Sequence, residues 1–202
     1  MTIDILLFVE DRLTEAVVGK IFRQVDRCLS VCQCHHWNKD KIQKKIGDLN
    51  RAAKGDFLYL GFTDQDTLGN CPASALKNLR APLSCNLLYR FAVMEAESWI
   101  MADRKNIARF LAIDISSVPR APDEVPEPKE RMVAMAKKSR SRSLREDLAP
   151  APSAKTAVVG PGYNSRLIEF VGDRWDAFEA RRHSPSLERS VRRLQAFELS
   201  GA

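Results

Sequence analysis

The sequence predicts an α/β fold, in which a four-stranded, mainly parallel sheet is flanked by helices and followed by a C-terminal helical extension. Three observations predict it: four apolar runs of strand length, helical spacing of apolar residues between them, and loss of the strand pattern after residue 97. Strands that alternate with helices are joined by right-handed crossovers, which favours parallel pairing. We place the sheet domain at 1–111, and the helical, basic extension packed on it at 112–202.

The first strand and the first helix follow from a change in hydrophobic period. Residues 3–9 form a nearly continuous apolar run, typical of a strand buried on both faces of a parallel sheet. From Leu13 to Val25 the apolar positions recur at helical spacing, and Asp11 precedes them as a candidate N-cap. The second strand covers about 29–35. Its cysteines are interpreted as small hydrophobes, because the cluster they form with the following histidines lacks the paired C-x2-C spacing of a zinc site.

The remaining elements are placed by the same two periods and by turn residues. A basic helix is expected at about 39–53, and the third and fourth strands are expected at 57–62 and 86–93. A short helix between these two strands is expected from Pro72 to about Leu79. Proline-rich connectors separate the helices of the second half, which are expected at 98–111, 129–138, 163–171 and 185–197.

Composition excludes several classes of protein. The 202 residues are 45% hydrophobic and 29% charged, which excludes wholesale disorder. No apolar run approaches the ~18 residues that a membrane helix needs, and the start of the chain lacks the basic segment of a secretory signal. Five cysteines, an odd number, favour a reducing compartment, so we expect a cytoplasmic protein.

The net charge of +6 indicates an anionic partner, and its distribution locates the candidate surface. The basic excess lies in the second half of the chain, whereas the first hundred residues are nearly neutral. We expect residues 139–143 to form a mobile loop that follows a nucleic-acid backbone, although a solvated basic face is an open alternative. The candidate phosphate-binding residues are Lys137, Lys138, Arg140, Arg142 and Arg145.

Acidic residues follow three of the four predicted strands. They are Glu10 after the first strand, Asp64 and Asp66 after the third, and Glu95 and Glu97 after the fourth. Because ligand sites of open parallel sheets lie at the carboxyl ends of the strands, we expect these acids to gather at one edge. Like charges repel, so their gathering indicates a bound cation. An alternative interpretation is that each acid caps the following helix or faces solvent.

The residue types indicate which cation such a site would bind. Hard oxygen ligands suit Mg²⁺ or Mn²⁺. Glu15 lies five residues beyond Glu10 in the first predicted helix, close enough to add a further ligand. The sequence therefore predicts a magnesium or manganese site at the acidic edge of the sheet.

Two of these segments resemble the Toprim domain, the Rossmann-like fold shared by topoisomerases, primases and the overcoming-lysogenization-defect nucleases. Residues 8–15 resemble the V-E-G-x-T-E opening of the nuclease branch, with Asp11 in place of the usual glycine. Asp64 and Asp66 match the D-x-D motif on a later strand. The resemblance implies that 1–111 is a Toprim-like catalytic domain.

A more specific resemblance, over nearly the whole chain, is to the DUF4276 family of bacterial proteins. That family is considered Toprim-like and is often found beside ATPases of the SMC/ABC type. The matching segments are the E-x-E-x-W element at 95–103, Pro128-Lys129, the V-G-P-G-Y-N element at 159–164, Trp175, and the start of the last helix at 184–187.

The resemblance implies a metal-dependent nuclease. Asp64 and Asp66 would bind the metal, Glu10 would be a ligand or general base, and Glu97, Glu15 and Glu95 would complete the ligand set. Lys129 would stabilise developing charge, although a surface lysine at a helix start is an equal alternative. Trp99, Trp175 and Tyr163 are expected to be core anchors rather than platforms for base stacking.

The expected partners are DNA rather than RNA, and an SMC/ABC-type ATPase in an antiphage defence system. Two alternatives stay open: a nuclease that cuts RNA, including transfer RNA, with the same site, and a non-catalytic adaptor subunit of the ATPase complex. A homo-oligomer also stays open. The chain itself has no G-x-x-x-x-G-K-[ST] phosphate-binding loop, so the ATPase is implied by the resemblance alone.

Overall fold

The computed structural model describes residues 2–65, 82–93, 95–154 and 156–199. Its sheet contains β1 (Ile3–Val9), β2 (Leu29–His36), β3 (Phe57–Gln65) and β4 (Leu87–Val93). All pairings are parallel, and the strand order is β2-β1-β3-β4. The predicted α/β fold, with a four-stranded parallel sheet flanked by helices, is therefore confirmed.

The first two helices cover opposite faces of the sheet. Helix α1 (Arg12–Gln24) packs on the face that contains Leu7, whereas α2 (Lys39–Ala52) packs on the face that contains Phe8. Asp11 caps α1 as predicted, because its carboxylate accepts a hydrogen bond of 2.8 Å from the backbone N–H of Thr14. The helix predicted from Pro72 to Leu79 and the predicted ligand Asp66 lie outside the described residues.

The second half of the described chain is helical. Its helices are α3 (Ala96–Ala102), α4 (Arg104–Phe110), α5 (Pro128–Lys137), α6 (Arg142–Leu148), α7 (Tyr163–Asp173), α8 (Ala177–Ala180) and α9 (Pro185–Gln195). Ser184 caps α9 with a hydrogen bond of 3.2 Å from Leu187 N–H, and Pro185 occupies its first position, as predicted. None of the described helices has the length and apolar character needed to cross a bilayer.

Two predictions about these helices are wrong, and in each case a polar side chain starts a new helix. The helix predicted at 98–111 is divided at Asp103, whose carboxylate accepts hydrogen bonds from Asn106 N–H and Asp176 N–H. The mobile loop predicted at 139–143 instead leads into α6, which begins at Arg142, because Ser141 caps that helix and Ser139 is buried.

The core joins the sheet to the C-terminal helices through two tryptophans. Trp99 and Trp175 are each 1% exposed, and the Trp175 indole N–H donates to the backbone carbonyl of Trp99 at 3.0 Å. The Trp99 indole N–H donates to Ser186 Oγ at 2.7 Å in α9. Tyr163 is also buried. The prediction that these three aromatic residues anchor the core is confirmed.

Strand β2 is largely exposed, although its sequence contains a short apolar run. Within the described residues it pairs with β1 alone and therefore lies at an edge of the sheet. Most of its side chains are exposed, including Cys32, while Cys34 is partly buried. Cys32 therefore does not pack as the small hydrophobe that the sequence predicts, because an edge strand has less of its surface covered than a central one.

Candidate metal centre

Glu10, which follows β1, and Asp64, which lies in β3 because that strand extends to Gln65 rather than ending at residue 62, meet at the switch point of the sheet. The chain leaves β1 toward β2 on one side and reaches β3 and β4 on the other, so the switch point lies between β1 and β3. Glu10 follows β1 directly, and its Oε1 accepts a hydrogen bond of 3.0 Å from the backbone N–H of Asp64. These two residues therefore stand side by side where open parallel sheets bind ligands.

Asp64 joins β3 to the start of α3. Its Oδ1 accepts a hydrogen bond of 3.1 Å from the backbone N–H of Ala96, which holds the start of α3 against β3. Burial raises the pKa of Asp64 well above its usual range. Neighbouring carboxylates raise this pKa further, in the order Glu97, Glu10, Asp11 and Glu95.

Glu97 lies in the first turn of α3 and is 3% exposed. Burial raises its pKa, and the nearby ammonium of Lys129 opposes this shift. The Tyr163 hydroxyl donates a hydrogen bond of 3.1 Å to Glu97 Oε1. Because burial and the charge of Glu97 raise the pKa of Tyr163, this hydroxyl keeps its proton and acts as a donor.

Lys129 supplies a positive charge to the acidic edge from the first turn of α5. Its Nζ lies 3.9 Å from Glu95 Oε1 and 3.9 Å from Glu97 Oε1, and its backbone N–H donates to Glu95 Oε2 at 3.0 Å. Burial lowers the pKa of Lys129, but the charges of Glu97 and Glu95 outweigh that effect, so the pKa is raised. These acids offset the unfavourable position of a lysine at a helix N-terminus.

The structure thus brings together most of the predicted site. The acidic cluster, as we name it, consists of Glu10, Asp11, Asp64, Glu95 and Glu97. Helix α5 adds Lys129 and helix α7 adds Tyr163, so segments on both sides of residue 111 contribute to the site. The contact between Tyr163 and Glu97 was not predicted, although the V-G-P-G-Y-N element that contains Tyr163 was noted.

A glycine loop fixes the position of Tyr163. The backbone N–H of Gly160 donates to Leu148 O at 3.1 Å, and that of Gly162 donates to Asp147 O at 2.9 Å. A Cβ atom at Gly160 would lie 2.7 Å from Ala149 O and closer still to Asp147 O. The loop can approach the end of α6 this closely because residue 160 has no side chain.

In the structure, Glu15 contacts His36 and is not a member of the acidic cluster. Its Oε2 lies 3.0 Å from His36 Nε2, and the ligand atoms of Glu15, Cys34 and His36 all lie within 4.8 Å of one another. Burial and the charge of Glu15 raise the pKa of the Cys34 thiol to about 11. These three residues form a group that could hold a metal ion. The sequence interpretation rejected a zinc cluster of the cysteines and histidines and assigned Glu15 to the magnesium ligands.

The acidic cluster has the chemistry for a hard divalent cation, but its ligand atoms are spread. Its donors are carboxylate oxygens, and the neighbouring carboxylates add to the burial effect that raises the pKa of Asp64. Among the described residues, no three members of the acidic cluster have ligand atoms within 4.8 Å of one another. Mutual repulsion of like charges favours such spacing, and a bound cation would offset that repulsion.

The predicted phosphate-binding residues differ in their contacts. Lys137, Lys138 and Arg140 are exposed. Arg142 pairs with Glu146 at 2.8 Å, and the Arg145 guanidinium donates to the backbone carbonyl of Ser139. The first three residues are therefore the better candidates for contacts with a phosphate backbone.

A cleft lies between the start of α1 and the glycine loop. Arg12, His36 and Asn164 line it together with Asp11 and Tyr163. The last two residues also belong to, or contact, the acidic cluster, so the cleft gives access to that edge of the sheet.

Comparison with known proteins identifies no relative of this chain. No protein-family model, no curated protein and no solved structure matches this chain. The chemistry inferred below therefore rests on the geometry and charge of the acidic cluster, and on the sequence resemblance described above.

Proposed function

We propose that this protein is a metal-dependent nuclease that hydrolyses phosphodiester bonds in DNA. The observation that carries the proposal is the acidic cluster at the switch point, where Asp64 has a raised pKa and Lys129 lies 3.9 Å from Glu95 and from Glu97. A cluster of carboxyls at a ligand-binding edge costs stability, which a divalent cation would restore. Asp64 and Glu97 would hold Mg²⁺ or Mn²⁺, with Glu95 and the sequence neighbour Asp66 as further ligands, and Glu10 would serve as the general base.

Each residue of the site has a separate task in this chemistry. When bound, a divalent ion neutralises charge on the phosphoryl oxygens and lowers the pKa of a water molecule. Glu10, oriented by its hydrogen bond from Asp64 N–H, would accept the proton of the attacking water. Lys129 would stabilise negative charge that develops on the phosphoryl group. Tyr163 holds the carboxylate of Glu97 in place by donating to it.

The charge of the second half supports a nucleic-acid substrate, and we propose DNA within that class. Exposed Lys137, Lys138 and Arg140 would bind phosphates without regard to base sequence. The DUF4276 resemblance implies an SMC/ABC-type ATPase as the partner, and we include in the proposal an effector role beside such an ATPase in antiphage defence.

The proposal is tested by incubating the purified protein with supercoiled plasmid DNA and with RNA. We expect wild type to nick or linearise plasmid in Mg²⁺ or Mn²⁺, alone or with the neighbouring ATPase, and EDTA to stop it. Glu10→Gln should lose most of this activity, because glutamine still accepts from Asp64 N–H but cannot accept the proton of water.

The control is Glu130→Gln, which removes one exposed carboxylate from α5 and should cleave like wild type. If wild type cuts neither nucleic acid with either metal and with the ATPase present, the enzyme proposal is wrong. Cleavage of RNA with intact plasmid would contradict the choice of DNA.

A second test concerns the basic surface. Replacing Lys137, Lys138 and Arg140 together with glutamine should weaken DNA binding and reduce the slope of log affinity against log salt by about 2.7, since each phosphate contact contributes about 0.9. The matched control removes three exposed charges elsewhere, Lys44, Lys45 and Lys54. Fluorescence anisotropy over a salt series measures the DNA affinity and its salt slope for both triple variants. Equal slopes for the two triple variants would contradict this assignment.

A further inference from the structure

An extra residue in β2 turns Cys34 and His36 toward helix α1. The pairing of β1 with β2 shifts between Ile5, which lies opposite Val31, and Leu6, which lies opposite Gln33. Cys32 is thus the additional residue of a β-bulge, and a shift of one residue reverses the face on which the following side chains lie.

The contacts beyond the bulge show the result of this shift. Cys34 lies opposite Leu7 and His36 opposite Val9, and both β1 residues belong to the core beneath α1. His35 lies on the other face, where its ring stacks on Phe8 with centroids 5.1 Å apart. Cys34 and His36 therefore share the α1 face at alternate positions.

Helix α1 places a carboxylate over these two side chains. Glu15 lies in its first turn, and its Oε2 is 3.0 Å from His36 Nε2. A sulfur, a nitrogen and an oxygen ligand atom, from two separate elements, then lie within 4.8 Å of one another. The Glu15 and His36 side chains are each 41% exposed, so a metal ion could reach them from solvent.

We propose that Glu15, Cys34 and His36 form a transition-metal site that binds Zn²⁺, separate from the acidic cluster. A thiolate, an imidazole and a carboxylate together suit Zn²⁺ and disfavour Mg²⁺, which takes oxygen ligands. Three protein ligands leave one tetrahedral position for water or another small ligand. The Glu15 carboxylate pairs with His36 and accepts a hydrogen bond from the Cys34 thiol, so a Zn²⁺ ion would replace both contacts and release the thiol proton.

This assignment separates Glu15 from the magnesium ligands of the proposed nuclease. His36 also lines the cleft that contains Asp11 and Tyr163, so the two sites are neighbours with different ligands. The zinc site goes beyond the proposed function and can be tested whether or not the protein cleaves DNA.

The test is a titration of the metal-free, reduced full chain with Co²⁺, which reports thiolate coordination in its absorption spectrum. We expect one equivalent to give a thiolate-to-cobalt charge-transfer band in the near ultraviolet and intense visible bands of tetrahedral cobalt, both removed by Zn²⁺. Cys34→Ser should abolish the charge-transfer band, and His36→Ala should weaken binding by more than roughly 10-fold.

Two controls distinguish the proposed site from other metal binding. Cys32→Ser removes the exposed neighbouring thiol and should leave the spectrum unchanged. Asp64→Asn alters the acidic cluster and should also leave the cobalt spectrum unchanged. This control distinguishes failure of the nuclease proposal from failure of the zinc-site proposal. The absence of a charge-transfer band in wild type, or its loss equally in Cys32→Ser, would overturn the proposal.

A measurement on wild type alone avoids dependence on the folding of the variants. Alkylation followed by mass spectrometry should show that Zn²⁺ protects Cys34 while Cys28 and Cys32 react as before. Equal reactivity of Cys34 with and without Zn²⁺ would also contradict the site.

Discussion

Replacing Asp64 with asparagine should abolish metal-dependent cleavage while stabilising the metal-free protein at neutral pH. Asparagine retains an oxygen that accepts from Ala96 N–H, so the start of α3 stays held. It removes one negative charge from the neighbourhood of Glu10 and Glu97, where that charge is unfavourable without a cation. We expect cleavage to fall by roughly 100- to 1,000-fold or more, the size of loss seen when one group that stabilises a transition state is removed.

The stability effect has a defined pH dependence. Burial and neighbouring charges raise the pKa of Asp64 in the folded state above its value of about 3.9 in the unfolded chain. Folding therefore becomes less favourable as pH rises from that value through the raised pKa, since the folded state gives up its proton less readily. Asparagine does not titrate, so the advantage of Asp64→Asn over wild type should grow between pH 5 and pH 8.

Thermal unfolding in EDTA between pH 5 and pH 8 measures the difference in stability between Asp64→Asn and wild type. Each 1 kcal/mol corresponds to about 2–4 °C in Tm for a chain of this size. Mn²⁺ should raise the Tm of wild type and of the Glu130→Gln control, but not that of Asp64→Asn. A variant that is less stable than wild type at pH 8 in EDTA would contradict the expected repulsion between Asp64 and its neighbouring carboxylates.

Replacing Gly160 with alanine should cause the largest loss of stability among single changes at the site. The new methyl group would lie 2.7 Å from Ala149 O and closer still to Asp147 O, and both are backbone atoms that cannot rotate away. Forced overpacking of this kind costs about 1–3 kcal/mol, or roughly 2–12 °C in Tm. The displaced loop would also move Tyr163 from Glu97, so metal-dependent cleavage should fall as well.

Gly172→Ala is the matched control for this experiment. A Cβ atom at Gly172 meets no other atom within 4 Å, and the residue lies in helix α7. Alanine is more favourable than glycine within a helix by up to about 1 kcal/mol, so this variant should be at least as stable as wild type. Urea unfolding compares the two variants. Similar stabilities would show that the glycine loop tolerates a side chain.

The strands and the main helices could be predicted because their signals are local. The apolar run at 3–9 and the helical spacing from Leu13 to Val25 each specify one element without reference to the rest of the chain. The acids at or near the ends of β1, β3 and β4 could then be placed at one edge by the rule that parallel strands end together.

The remaining features depend on contacts between distant residues or on small irregularities. Asp103 ends α3 and starts α4 partly because it accepts from Asp176 N–H, far along the chain. Tyr163 reaches Glu97 through the packing of α7, which no local pattern encodes. The inserted residue Cys32 determines the side of the sheet on which Cys34 lies. A pattern of alternating side chains cannot reveal where such an insertion falls.

The bulge at Cys32 also has a consequence for association between molecules. Among the described residues, β2 pairs with β1 alone, and the outer edge of such a strand is a template for a strand from another molecule. An inserted residue interrupts the regular ladder of N–H and C=O groups and increases the local twist. The irregularity that brings Cys34 and His36 beneath α1 therefore also disfavours edge-to-edge aggregation of the protein.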